Sequence, residues 1–357
     1  MPVVLRVCTA LLLARPALTG EARLAAQDAT ASQDTTPARR YGHFHIGLTI
    51  HDNGLSFGNA PRVNGMRLNV QDAELERVNG VNITLWKPRE PLSGTVNGLQ
   101  LGVVPGSREV SGIAVGLGGV VAERRLRWIS VGALGTVSNG SLEGLGIGGL
   151  GAVANRDIWG IALGGLGTVA NGSLTGIGVG GLGTVADRDL TGVAISGLGT
   201  VVNRDLSGIA LSGLATVANG DVRGVGGGGL ATVANGSVTG LAFGGLAVVA
   251  NGRLAGAGLA GLAVVADREI TGLSIAGYRV ESPRVTGLNV AGLYLKTRAL
   301  SGVSVSAYNR VRGLQRGVAI GIYNSAYVLR GVQIGVVNRA KNNRGIFRIL
   351  PLLNAHL

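Results

Sequence analysis

Three histidines, His43, His45 and His51, form an H-x-H-x5-H group of the residue type that ligates transition metals. A metal site needs three or four ligands and a supporting shell; these three read instead as solvent-facing side chains on a first strand. Gly146-x-Gly148-x-x-Gly151 and Gly178-x-Gly180-x-x-Gly183 match the dinucleotide fingerprint, in which glycine lets a strand-to-helix turn approach a pyrophosphate. Both recur in step with a chain-wide repeat, so the repeat explains them. Asn139-Gly140-Ser141, Asn171-Gly172-Ser173 and Asn235-Gly236-Ser237 match a glycosylation acceptor, yet they share one repeat position where Asn-Gly serves as a turn. Thr136, Thr168, Thr184, Thr200, Thr216 and Thr232 share another position and would form a threonine ladder on a wall of stacked strands. Flat threonine arrays can bind ice, but this single column yields to Val248 and Val264, and ordinary strand propensity accounts for it. No Ser–His–acid or paired-carboxylate constellation emerges from 19 Asp and Glu. The reading is non-enzymatic: no catalytic, cofactor-binding or metal-ligating residue is expected.

Charge supplies the remaining candidate site. The formal net charge is +13. Residues 273–357 carry twelve Lys and Arg against the single acid Glu281, whereas residues 129–272 carry six basic and eight acidic residues. Arg310, Arg312, Arg316, Arg330, Arg339, Lys341, Arg344 and Arg348 are therefore the candidate contacts to an anionic surface, lipid headgroups or polysaccharide. The same end would also solubilise an otherwise nearly neutral repeat. Nucleic acid is not expected as a partner, because no reader motif accompanies the charge. Arg312, Arg330 and Arg344 are expected at corresponding corners, as a positive stripe.

The repeat must position all of these residues. A glycine recurs every 16 residues from Gly144 through Gly160 and Gly176 to Gly272. The column continues at 15 through Gly287, Gly302 and Gly317, and at 14 through Gly331 and Gly345. Backwards it passes Trp128, a substitution, to Gly112, Gly98, Gly80 and Gly65. Leu174–Asp189, L-T-G-I-G-V-G-G-L-G-T-V-A-D-R-D, is a specimen unit with large apolar residues at positions 1, 4, 6, 9 and 12. Small residues fill 3, 5, 7, 8, 10 and 13, and polar residues close the unit.

Four or more glycines per unit exclude helix, since each costs about 1 kcal/mol relative to alanine there. Alternating I-G-V segments between N-G or D-R-D punctuation read as short strands and turns. The expected fold is all-β, a repeat β-solenoid of 14–16-residue coils, with an antiparallel outer-membrane-type β-barrel as the alternative. In the solenoid the Leu and Val columns are expected as internal ladders, and the Gly columns as corners needing φ > 0 or close approach. About 20 coils would stack to roughly 95 Å. Against the barrel, residues 129–272 hold too few aromatics for girdles, and the apolar spacing breaks a strict period of two.

Organisation follows from composition. Arg6 and the apolar stretch 7–14 suggest an export signal over residues 1–27, followed by a polar linker, 28–40. Irregular repeats over 41–128 are expected as an N-terminal cap, regular units over 129–272, and basic 14–15-residue units with a second cap over 273–357. The units Gly331-Val-Gln-Ile-Gly-Val-Val-Asn338, with Ala340-Lys-Asn-Asn343 and the closing Leu350–Leu357, resemble a bacterial surface-repeat family built on G-x-Q-I-G-x-x-N. Upstream, residues 82–88 and 118–123 are also similar to it. The resemblance implies an exported or surface-exposed protein, at the cell surface, outer membrane or periplasm, and brings no catalytic residues. It implies a structural or adhesive role.

Overall fold

Glycine sets the path of each turn. From Gly144 to Gly272 the column's backbone takes positive φ, between +107° at Gly144 and +130° at Gly208, where an L side chain is strained. A Cβ at Gly192 would also run into the carbonyl oxygen of Gly176 one coil below, and the same holds up the column. The kink turns the strand without breaking its ladder: Leu174–Gly180 pairs in parallel with Leu190–Ser196, Gly176 against Gly192.

The computed structural model describes residues 45–72, 74–87 and 91–356. The expected export signal and linker, His43 and the terminal Leu357 lie outside the described residues. The described residues of the unit His43–Leu357 form a β-solenoid of about 17 coils with roughly 16-residue turns, not a barrel. In the regular region a seven- or eight-residue strand, kinked at its glycine, alternates with a four-residue strand such as Gly183–Ala186. Each strand pairs with its equivalent one coil away. Parallel ladders of this kind overturn the antiparallel barrel, and the coil number is below the expected 20. The ends differ. His45–Ile50 pairs antiparallel with Asn53–Gly58, and Ile349–His356 pairs antiparallel with Tyr323–Ala340.

The interior corrects a second expectation. Of the five large apolar positions only the first, Leu174 and its equivalents, points inward, with Leu174, Leu190 and Leu206 fully buried. Ile177 is 38% exposed and Leu182 50%, so positions 4, 6, 9 and 12 line the outside. The cause is the kink. Thr175 and Ile177 flank Gly176 and both face out, after which the alternation resumes with Gly178 and Gly180 inside. The section is too narrow for more: a Cβ at Gly178 would already meet Leu174 Cδ1 at 2.6 Å and Thr184 Cγ2 at 3.2 Å. Small residues therefore fill the core.

The threonine column is inside as well. Thr136, Thr168, Thr184, Thr200, Thr216 and Thr232 are fully buried, so they present no hydroxyl array to solvent. Several hydroxyls donate to carbonyls of the next coil, Thr168 to Val179 at 2.7 Å and Thr216 to Gly227 at 2.7 Å. This satisfies a polar group that would be costly to bury alone.

Asparagines at the corner do not use left-handed backbone; they stack. Asn171 Nδ2 donates to Asn155 Oδ1 at 3.1 Å, Asn235 to Asn219 at 2.9 Å and Asn251 to Asn235 at 3.0 Å. Asn203 donates to Asp187 at 3.0 Å, but a carboxylate has no N–H to pass on, so the chain of amides stops there. Two positions further, Asp205 accepts the Asp221 backbone N–H at 2.8 Å and Arg223 at 3.2 Å. That backbone bond above all, with the Arg223 contact and the Arg204 charge adding to it, holds the Asp205 carboxyl below its ordinary range although burial pushes the other way.

Two outcomes follow from the kink and the corner. Gly192→Ala is expected to lower stability by about 2–4 kcal/mol, while Trp128→Gly, replacing a side chain held at φ +84°, raises it by about 1 kcal/mol; thermal melts check both. Because Asp205 titrates lower folded than unfolded, its contribution is present above the ordinary carboxylate range and is lost as pH falls through the folded value. Asp205→Asn should then show a smaller drop in melting temperature on acidification than the parent.

Candidate basic–aromatic face

Short strands carry the site. In the middle coils their three outward columns hold Gly or Ala, then Val, then a corner Asn or Asp, as in Gly183, Val185 and Asp187. From residue 279 the coil shortens, and the columns change chemistry. The first becomes Arg279, Tyr294, Tyr308 and Tyr323 in register. The second becomes Glu281, Lys296, Arg310 and Ser325. Arg339 continues it, next to Ile349 of the closing antiparallel strand. Val311 pairs with Ala326, and Lys341 N–H bonds to the Ala326 carbonyl at 3.2 Å. The residues just beyond, Arg312, Tyr327 and Lys341, thus share the corner.

The result is a shallow open groove of about 570 Å³. Its floor is Val311 and Ala326; its walls are Tyr294, Tyr308, Tyr323 and Tyr327 with Arg310, Arg312, Arg339 and Lys341. Tyr308 and Tyr323 lie with ring centroids 6.4 Å apart at 42°. Lys341 Nζ sits 4.9 Å over the Tyr327 ring, a cation–π contact that fixes both side chains. Arg348 and Ile349 extend the face past the last full coil. Glu281 pairs with Arg279 at 3.1 Å and with Lys296. Among the described residues Arg310, Arg312 and Arg339 have no ion pair, so their charge is offered to solvent.

Spacing relieves repulsion. Cations in neighbouring coils would lie about 4.8 Å apart, but Ser325 separates Arg310 from Arg339 and Tyr327 separates Arg312 from Lys341. Within these two pairs the like charges are then about 9.6 Å apart, near the screening length at physiological salt, and Lys296, in register with Arg310 one coil away, is paired with Glu281.

Arg312, Arg330 and Arg344, of the eight candidate residues, do not form the expected stripe. All eight are exposed. Arg310, Arg312, Arg339, Lys341 and Arg348 share the groove face, but Arg316 pairs with Arg330 on the strand that carries the kink, a different column. Arg344 precedes the 3-10 turn Gly345–Arg348 instead of stacking on Arg330. Corner equivalence fails because the register between Val311 and Leu314 contains a bulge, which shifts residues after 311 relative to the next coil. The tyrosines were missed by charge counting, although their 14- and 15-residue spacing matches the shortened unit.

The G-x-Q-I-G-x-x-N residues face the opposite way. Gln333 and Asn338 are fully buried. Gln333 donates to Gln315 at 2.9 Å; Asn309 donates to Asn324 at 2.8 Å, and Asn324 to Asn338 at 2.7 Å. They are an internal amide ladder, and the motif they define is architectural. The fingerprint glycines Gly178, Gly180 and Gly183 lie on strands stacked on further strands. His45 and His51 belong to the first antiparallel hairpin, and among the described residues no group of three potential ligands could hold a metal.

Comparison with protein-family models, curated proteins and solved structures finds no match to this chain.

Because the free arginines of the groove bond to nothing that holds the fold, Arg310→Glu and Arg312→Glu should leave stability within about 0.5 kcal/mol of the parent or raise it slightly. Chemical denaturation of the double variant checks this.

Proposed function

We propose that this chain is a non-enzymatic, exported structural or adhesive repeat protein of a bacterial envelope, whose C-terminal face binds an acidic polysaccharide. One observation carries the reading: the concentration of four tyrosines and five basic side chains on one flat outward face, where equivalent columns elsewhere hold Gly, Val and Asn. A row of cations attracts a polyanion and gives long-range steering. Lipid headgroups would satisfy the cations equally, but half-exposed phenol rings beside them favour sugar, since a ring face packs against the C–H face of a pyranose while its hydroxyl bonds to a sugar hydroxyl. A polymer with one acidic group per disaccharide presents its charges at a spacing comparable to that of Arg310 and Arg339. The apolar leader stretch after Arg6 and the likeness to G-x-Q-I-G-x-x-N surface repeats support export. The repeat fold itself suits a structural role, because stacked identical units extend a surface without needing a cleft.

Retention on an immobilised polysaccharide with one uronate per disaccharide, at low salt, is the test. The parent should bind and elute as salt rises. Arg310→Glu with Arg312→Glu and Lys341→Glu should abolish retention, and Tyr308→Ala should weaken it several-fold. Arg316→Glu with Arg330→Glu, on the other column, should retain most of it. Equal loss from both sets, or stronger capture by anionic vesicles than by the polymer, would refute the polysaccharide reading. Fractionation of native cells with a C-terminal tag checks export independently.

A further inference from the structure

The outward columns of the kinked strand are apolar from one end of the stack to the other. At position 4 the register runs from Leu55 and Met66 through Ile177 and Ile209 to Val332. At position 6 it runs from Phe57 and Leu68 through Val179 and Ile195 to Ile334 in the same pairings. No residue of either column carries a charge or a hydrogen-bonding side chain. The single gap, Gly227, is covered by its neighbour, for a Cβ there would collide with the ring of Phe243. A third column joins at the corner, where Leu134, Leu150, Leu166 and their successors to Leu262 stack through backbone bonds of 2.6–2.9 Å and stay 44–59% exposed.

The face is large. About 17 coils at about 4.8 Å give about 80 Å of length for two columns about 7 Å wide, and the third column adds about 5 Å of width over the coils from Leu134 to Leu262, so the strip is about 800 Å². Exposed apolar patches on monomers seldom pass a few hundred Å², and a stable pair of proteins needs about 800 Å² from each partner.

We infer that two copies of this chain pair through this face, antiparallel, about a two-fold axis near the level of Ile195. A second copy meets the area requirement with the same flat strip, and the two ladders of branched side chains can interdigitate as the inner faces of stacked sheets do. Charge decides the direction. A parallel pair would set the two strongly basic C-terminal ends side by side; the antiparallel pair places each beside the other's N-terminal coils. Charge also disfavours an anionic bilayer as the occupant, since the central coils that present the strip carry more acidic than basic residues. The groove of Tyr308 and Arg310 lies on the short strands, not on this strip, so pairing leaves it open.

Sedimentation of the full chain without lipid should give twice the mass of one chain at micromolar concentration. Ile177→Lys with Ile209→Lys and Leu241→Lys should halve that mass while leaving the β-sheet circular dichroism and melting temperature unchanged, because all three side chains point outward. In a Cys8→Ser background, Ile195→Cys should form an intermolecular disulfide and Ile334→Cys should not. A single-chain mass for the parent, a dimer indifferent to the three lysines, cross-linking through Ile334→Cys, or flotation of the parent with phosphatidylcholine vesicles would each overturn the proposal.

Discussion

The close backbone contact at the kink governs the rest of the molecule. At the glycine column one coil's carbonyl oxygen lies where the next coil's Cβ would be, and the backbone is held at positive φ. Only glycine meets both conditions without strain. In exchange, the hydrogen-bond ladder runs unbroken around the bend, so a change of direction loses none of the backbone bonds that burial would otherwise leave unmade. Trp128, the departure within the column, stays in register between Gly112 and Gly144 and sends its side chain into solvent, 66% exposed. The ladder dictates even there.

Turning this tightly leaves a narrow interior, and the narrowness sorts the side chains. One leucine, isoleucine or valine per coil, in most coils a threonine, and glycine or alanine complete the middle section; burying the large residue contributes about 1.5–3 kcal/mol per coil. Toward each end the filling becomes polar. Arg67, fully buried, pairs with Asp72 and with Asn82 at 3.2 Å near the N-terminal end. Asn309, Asn324 and Asn338 form an amide ladder near the C-terminal end. Such groups hold register better than methyl groups do, because a slip would leave each of them buried and unpaired. They sit where the coil length changes and register is least guaranteed by repetition.

Function in such a molecule is written by column and by level. The same outward column is Ala263 in one coil, Arg279 in the next and Tyr294 in the one after. No loop or cleft is needed to build a site: a change of residue type over a few successive coils, all held at one spacing by the ladder, makes a surface of defined pitch. Outward positions are also free of packing demands, which is why an apolar strip and a basic–aromatic face coexist on a core that hardly varies.

Period, strand character, corner glycines and the charge imbalance were legible in the residues, because each depends on local backbone geometry or on counting. The inside and outside of the coil were not. Large apolar residues look like core by type, and only the kink at Gly176, which sets Thr175 and Ile177 on the same outward side, shows that Leu174 alone points in. The groove was half legible. Its arginines stood out as charge, but the bulge between Val311 and Leu314 determines which of them share a face, and stacking brings Tyr294, Tyr308 and Tyr323 beside them. Local chemistry follows from the order of the residues; the phase of the pleat around a turn is set only when coil stacks on coil.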